Sequence, residues 1–376
     1  MKTELSLFDR ALNLFRYPKR SNETLQAWDA GDEYLINHVE ELALEDNQHI
    51  VILNDNFGAL ACWFSSKHRV TVMSDSYISH QAAFSNLKEN GLNPVTLLDT
   101  NQAIPSDADI VLMQIPKSNR HLKWQLSQLR ESLSPSTPFI AVNKAKEIHT
   151  STLKLFERYL GTTKTSLAWK KHRLVFSVAD SSPIESVDPI TRWNVDGENY
   201  QLDNLPNVYS GESLDLGARF FLKHLPQDES ITHAIDLGCG NGVLSVKLGQ
   251  INPEAKITSV DESYMAVASA KRNVEQSLGS SDNFTFVANN CLDGFEAKRY
   301  DLVMCNPPFH QQQAVTDHIA WQMFCDAKHV LSNGGKLLVI GNQHLGYEAK
   351  LVRLFGRSNV SLVSRNNKFV ILQAIR

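Results

Sequence analysis

From about residue 234 the chain alternates short apolar runs with longer amphipathic stretches. "THAIDLGC" predicts a strand, "VLSVKLGQ" a helix, "KITSVDES" a strand, "MAVASAKRNVEQSL" a helix, "FTFVANNC" and "DLVMCNPP" strands, residues 317–331 a helix and "KLLVIGN" a strand. Strands alternating with helices of this length predict a parallel sheet covered on both faces. The rhythm changes at the end, where "NVSLVS" and "KFVILQAI" are separated only by "RNN". So short a link closes an antiparallel hairpin, because a parallel return needs a crossover.

The first half repeats this plan in worn form. "HIVILNDNFGALACWF" lies under "HAIDLGCGNGVLSVKL", with Gly58 opposite Gly242 (242 − 58 = 184). "VTVMSDSYISHQAAFSNL" lies under "ITSVDESYMAVASAKRNV", with Asn86 opposite Asn273, and "DIVLMQIPK" under "DLVMCNPPF", with Asp109 opposite Asp301. "SLAWKKHRLVFSV" lies under "SLVSRNNKFVILQ", with Ser166 opposite Ser361 (361 − 166 = 195). An offset that drifts this little over four ordered matches is what a duplicated unit with a few added loop residues shows. The polar, proline-bearing stretch at the end of "ADSSPIESVDP" reads as a linker, which sets the expected domains at 1–180 and 190–376 with residues 181–189 between them. After it, "TRWNVDGENYQLD" places Asp196-Gly197 between alternating segments, a hairpin signal.

Composition narrows the class. With 376 residues, 42% hydrophobic and 21% charged, the chain is ordinary globular material, long enough for two cores. A net charge of -4 excludes coating of nucleic acid by bulk charge and leaves room only for local basic faces. The five cysteines lack metal or disulfide spacing, which fits reduced core thiols in a cytoplasmic protein. No apolar run reaches the length of a membrane span, and no HExxH pattern occurs, so neither membrane nor metal is expected.

Chemistry concentrates in the second copy. "IDLGCGNG" puts Gly238, Gly240 and Gly242 where a strand hands over to a helix, and glycine there admits a ligand to backbone amides. A dinucleotide fingerprint would require glycine where Val243 stands, so the spacing disfavours a nicotinamide or flavin dinucleotide. Asp261, at the tip of the next strand, is placed to accept both hydroxyls of a ribose, with Glu262 as the alternative. Asn290 falls at the third strand tip and "NPPF" at the fourth. These are the carboxyl ends of consecutive strands, where open α/β sheets bind ligands.

Two prolines after Asn306 remove two backbone donors and stiffen a ledge. The lone pair of an amine attached to a planar ring or amide is delocalised, so a site acting on it must orient the nitrogen and favour its pyramidal form. Asn306 offers its side-chain oxygen to one N–H, and the Pro307 carbonyl can accept the other. Phe309 would stack on the flat substrate, and Pro308 and His310 would line its pocket. The segment "NVYSGESLDLGARFFLKHL" predicts a helix leaning on the site, with Tyr209, Asp215, Gly217 and Arg219 as candidate contacts.

This arrangement resembles the class I methyltransferases that use S-adenosyl-L-methionine. The resemblance implies an α/β fold of two tandem Rossmann-like domains, each a mostly parallel seven-stranded sheet ending in an antiparallel hairpin, with the N-terminal copy degenerate. It further implies that Asp236, Gly238, Gly240 and Gly242 hold the methionine part, Asp261 the ribose and Asn290 the adenine. "LQAWDAGDEYL", "LDLGARFFLKHLP", "VDESYMAVASAKRNVE" and "NPPFHQQ" together resemble the bacterial ribosomal RNA guanine-N2 methyltransferases, closest to the branch acting on large-subunit (23S) RNA. That implies methylation of a guanine N2 amine in protein-poor 23S RNA by a monomer. The small-subunit (16S) enzyme, an adenine-N6 or protein-glutamine methyltransferase and a noncatalytic RNA-binding assembly factor are the alternatives.

In the first copy the glycine loop has become Asn54-Asp55-Asn56-Phe57-Gly58 and the ledge Gln114-Ile115-Pro116. With two glycines gone and Phe57 expected to crowd the loop, this copy should neither bind cofactor nor catalyse. Trp169, Lys170, Lys171 and Arg173, with Arg16, Lys19 and Arg20, mix basic and aromatic residues as an RNA backbone with exposed bases requires.

Overall fold

The computed structural model describes residues 2–181, 187–308 and 313–376. The chain divides into two compact units, Met1–Pro189 and Ile190–Arg376. In the second, seven strands form one sheet in the spatial order Phe284–Ala288, Lys256–Asp261, His233–Leu237, Tyr300–Cys305, Leu331–Asn342, Phe369–Ile375, Val360–Arg365. The first five run parallel, Phe369–Ile375 runs against them, and Val360–Arg365 pairs antiparallel with Phe369–Ile375.

Alternate residues of these strands serve two cores, as the two-residue period of a strand requires. Ala234, Leu302, Met304, Leu338 and Ile340 pack with Leu244, Leu248 and Phe221 on one face. Ile235, Leu237, Val303, Cys305, Leu337 and Val339 pack with Phe324, Ala327 and Leu351 on the other. Burial on both faces explains the continuous apolar runs.

The first unit has the same order: Thr96–Asp99, Arg69–Ser74, His49–Leu53, Ile110–Gln114, Phe139–Lys144, His172–Ser177, Thr163–Thr165. The paired residues do matching work. Ser76 and Ser263 each cap the following helix through Oγ, at 3.1 Å from the amides of Ser79 and Ala266. Gly58 and Gly242 each open a helix at φ near +80°, where a Cβ would lie 2.5 and 2.7 Å from Cα of Ala83 and Ala270. Asp109 accepts the amide of His49, as Asp301 accepts that of His233.

The fourth match needs a correction. Ladder pairing sets Thr163 against Ser177 and Val360 against Ala374 (374 − 177 = 197), two residues beyond the Ser166–Ser361 alignment. An irregularity between Leu362 and Ser364 breaks the register there, and sequence similarity cannot see a bulge. The sequence reading also missed a short N-terminal hairpin, Glu4–Leu7 with Arg10–Asn13.

Asn273 shows how the second unit fastens its glycine loop. Fully buried, it accepts the Asp203 amide at 2.7 Å and donates to the carbonyls of Asp203 and Asn241 at 2.9 and 2.8 Å. Asp203 lies in the second strand of the hairpin Thr191–Asn194/Gln201–Asn204 and Asn241 lies in the loop, so one amide ties both to the helix Tyr264–Leu278. Asn86 does the same for Phe15 and Phe57 in the first unit. Asn273→Leu removes the partners of three backbone groups, at about 1–3 kcal/mol for each one left buried and unsatisfied. Scanning calorimetry should show the second unit melting roughly 10 °C lower; an unchanged transition would show that this clamp carries no stability.

Candidate active site

The register of the parallel strands assembles the site. Leu237 pairs with Val260 on one side and Cys305 on the other, and Asp261 pairs with Ala288. One step beyond Leu237, Gly238 therefore stands between Asp261 and Asn306 at the carboxyl end of the sheet. A Cβ added to Gly238 would meet the Asn306 carbonyl oxygen at 3.8 Å and Met323 Cε at 3.4 Å. The glycine loop and the proline ledge are thus side by side.

The loop is fixed from beneath. Gly238 and Cys239 both donate to the Val260 carbonyl, at 2.8 and 3.0 Å. The Asp261 carboxylate accepts the Gly240 amide at 2.9 Å through one oxygen and the Ser263 amide at 3.0 Å through the other. Glu262, the alternative acid, is exposed. Gly238 and Gly240 sit at φ +78° and +52°, and a Cβ on Gly240 would meet nothing within 4 Å. Gly242 is different, since its missing Cβ faces Ala270. Helix packing, not an opening toward a ligand, demands glycine there.

Asp236 lies under the loop, almost fully buried. Its Oδ2 accepts Ser245 Oγ at 2.7 Å and the Ser245 amide at 3.1 Å, while Oδ1 has no partner among the described residues. Burial raises its pKa to about 7, opposed by the Ser245 hydrogen bonds and assisted by the Asp261 charge. An orphaned buried carboxylate oxygen next to an open glycine cradle suits a cationic group. Asn290 lies two residues past its strand, buried, with its side-chain amide donating to Asp293 at 2.7 Å. Neighbouring Asn289 donates its backbone amide to the Asp261 carbonyl at 2.9 Å, which fixes the third tip to the second.

On the ledge, Asn306 Oδ1 is buried and has no partner among the described residues, and Pro307 is buried beside it. An acceptor in that state has been paid for and left for something else. Phe309 and His310 lie outside the described residues, whereas Pro308 is half-buried at their edge. Ser245 and Met323 were missed by the sequence reading. Ser245 had one signal, a hydroxyl inside the apolar helix "VLSVKLGQ", and Met323 had none.

The long helix expected before the loop is only Leu216–Leu222. Asp215 caps it by accepting the Ala218 amide at 2.9 Å, and Arg219 pairs with Asp196 in the hairpin loop at 2.6 Å. Both side chains are therefore held by the fold, and Tyr209 remains 58% exposed.

The first unit fills the equivalent space with its own side chains. Asn54 donates to the Gln114 carbonyl and to Gln125 Oε1, both at 2.9 Å, and Gln125 donates back to Asn54 Oδ1 at 3.0 Å. Asn56 reaches Gln114 Oε1 at 2.5 Å, and Gln114 donates to buried Asp32. Phe57, expected to crowd the loop, instead packs on the core with Arg16 over its ring at 4.8 Å. The polar network occupies the site because Asn and Gln replaced the glycines and the ledge asparagine.

The basic hairpin tip is also partly engaged. Lys170 pairs with Glu33 at 2.7 Å and lies over Trp169 at 4.4 Å, and Trp169 contacts Tyr34 at 5.4 Å. Lys171 is exposed, and Arg173 is half-buried. Lys19 stacks on Phe15. Among the described residues no helix is long and apolar enough to cross a membrane, and no acidic, His or Cys group is arranged to hold a metal.

Residues 2–181 match the family model described as the RLMG N-terminal domain, and residues 199–373 match the methyltransferase small domain. The "Ribosomal RNA large subunit methyltransferase G" of Vibrio campbellii is 70% identical over the whole chain and 98% of its own length. That of Vibrio vulnificus is 67% identical, with both chains covered completely. A T. thermophilus 16S rRNA N2 methyltransferase, solved in complex with AdoMet and guanosine, superposes with a TM-score of 0.78 over 100% of this chain and 97% of its own, at 18% identity. At that identity the likeness concerns the fold.

Proposed function

The chain belongs to the family of ribosomal RNA large subunit methyltransferase G, and from that premise we propose that it methylates the exocyclic N2 amine of one guanine in 23S ribosomal RNA. The observation that carries the proposal is that Asn306, whose backbone borders the Gly238 loop, has an Oδ1 with no partner among the described residues. S-adenosyl-L-methionine supplies the methyl group when bound. Asp236 Oδ1 and the open faces of Gly238 and Gly240 fit its cationic methionine end, Asp261 its ribose and the Asn290 tip its adenine.

The chain's part in the chemistry is orientation and electrostatics. Asn306 Oδ1 accepts one N–H of the guanine amine and the Pro307 carbonyl the other. Two acceptors in fixed positions favour the pyramidal nitrogen over the planar one, which frees its lone pair to react. Phe309 stacks on the base and Pro308 and His310 border it. A paired base must leave its stack to arrive there.

The first unit takes no cofactor in this reading and serves RNA through Trp169, Lys170, Lys171 and Arg173. Titration with S-adenosylmethionine in a calorimeter should saturate at one equivalent per chain; two equivalents would mean that the Asn54–Gln114–Gln125 network yields. The enzyme acts in the cytoplasm, as a monomer, on protein-poor RNA. Mass spectrometry of nucleosides from ribosomal RNA of a strain lacking this gene tests the proposal. One N2-methylguanosine should vanish from the large-subunit RNA. An unchanged nucleoside profile, or a loss confined to small-subunit RNA or to N6-methyladenosine, overturns it.

A further inference from the structure

On the second unit, the helices Gln313–Val330 and Tyr347–Phe355 border a cleft of about 410 Å³ lined by His318, Trp321, Ala349, Lys350 and Arg353. The lining comes in pairs one turn apart, His318 with Trp321 and Lys350 with Arg353, so each helix offers one stripe to the cleft. The inward faces of the same helices are core: Phe324 meets Tyr347 edge-on at 5.2 Å, and Leu351 and Phe355 are buried.

Three features of the cleft point to a ligand class. Trp321 is half-buried, and the Arg353 guanidinium lies 5.2 Å from its ring, which forms a flat cationic and aromatic platform. Among the described residues no acidic residue lines the cleft, although the chain as a whole is acidic at -4. The acid of the second helix, Glu348, is paired with Arg357 at 2.7 Å. Such a cleft supplies what single-stranded nucleic acid needs, a stacking plane beside phosphate-binding cations.

The position favours the same ligand. The helix Gln313–Val330 is the element that follows the Asn306 ledge, and its Met323 faces Gly238. Trp321 lies two residues away, on a different side of that helix. The cleft is therefore on the back of the wall that closes the candidate active site.

We infer that this cleft binds a single-stranded stretch of the RNA that carries the target nucleotide, one base stacking on Trp321 and Arg353 and the adjoining phosphates meeting Lys350 and His318. The inference rests on the function proposed above, but binding is measured without turnover, so the two can fail separately.

The test uses the full chain and 23S RNA transcribed in vitro. Lys350→Gln/Arg353→Gln should weaken RNA binding about tenfold and reduce the slope of log affinity against log salt by about 0.7, the share of the one single-strand phosphate contact that Lys350 makes. Trp321→Leu, which fills the ring's place with another apolar side chain, should weaken binding about tenfold with no change in that slope. In both, thermal melting, S-adenosylmethionine affinity and the rate at saturating RNA should match the parent chain. Unchanged RNA affinity and salt slope overturn the inference, whether or not the variants melt lower, since lower melting alone would make Trp321 and Arg353 a cover for the helix seam. Loss of RNA binding in these variants, in a chain that methylates no guanine, would leave the cleft standing and remove the proposed function.

Discussion

Asn306→Ala should lower the rate of methyl transfer about a hundredfold to a thousandfold, with S-adenosylmethionine affinity unchanged. The magnitude is that of deleting one preorganised group that acts on the transition state. The physical reason lies in the state of the side chain. Asn306 Oδ1 is buried and without a protein partner among the described residues, so the fold has already met the cost of drying it. Substrate N–H groups recover that cost most fully when the nitrogen has become pyramidal. An interaction made more strongly in the transition state than in the ground state appears in kcat, not in KM. Single-turnover measurements at saturating RNA and cofactor separate the two. A variant with near-normal rate, or one whose loss is made good by raising the RNA concentration, would remove Asn306 from the chemistry and leave it as a binding group.

What could be read from the sequence was set by short range and by burial. Parallel strands buried on both faces write themselves as apolar runs such as "HAIDL" and "DLVMC", so the sheet and its duplication were legible. The row of Asp261, Gly238 and Asn306 was legible for the same reason, because every member sits at the end of such a run. The orientation of a side chain was not. Gly242 resembles its neighbours in the loop yet answers to Ala270, and nothing local distinguishes a glycine needed for packing from one needed for a ligand. Asp215 and Arg219 were candidate contacts in the sequence, and nothing local foretold the cap and the ion pair with Asp196 that they make. The plug in the first unit was invisible because Asn54 and Gln125 stand 71 residues apart. The Trp321–Arg353 platform is likewise made by two helices from separate parts of the chain.

Asp236 gives the second large effect, and its sign follows from burial. The carboxyl titrates near 7 in the folded chain, against about 3.9 in an unfolded one. Between those values the folded chain holds a proton that the unfolded chain has lost. Rising pH therefore erodes stability across about pH 4 to 7 and has no further effect through this group above it. A bound ammonium group reverses the preference, because it favours the carboxylate. Cofactor binding then expels the proton, and S-adenosylmethionine affinity should fall up to about tenfold per unit as pH drops below 7. Asp236→Asn retains an acceptor for Ser245 but loses the charge, at about 1.5–3 kcal/mol for a hydrogen bond to a charged group, or roughly ten- to a hundredfold in affinity at pH 8. The same variant should bind with almost no pH dependence between 5.5 and 8, about where the parent chain changes most. Calorimetric titration across that range distinguishes the cases. A parent profile as flat as the variant's would show that Asp236 faces no cation and that the methionine end is held elsewhere.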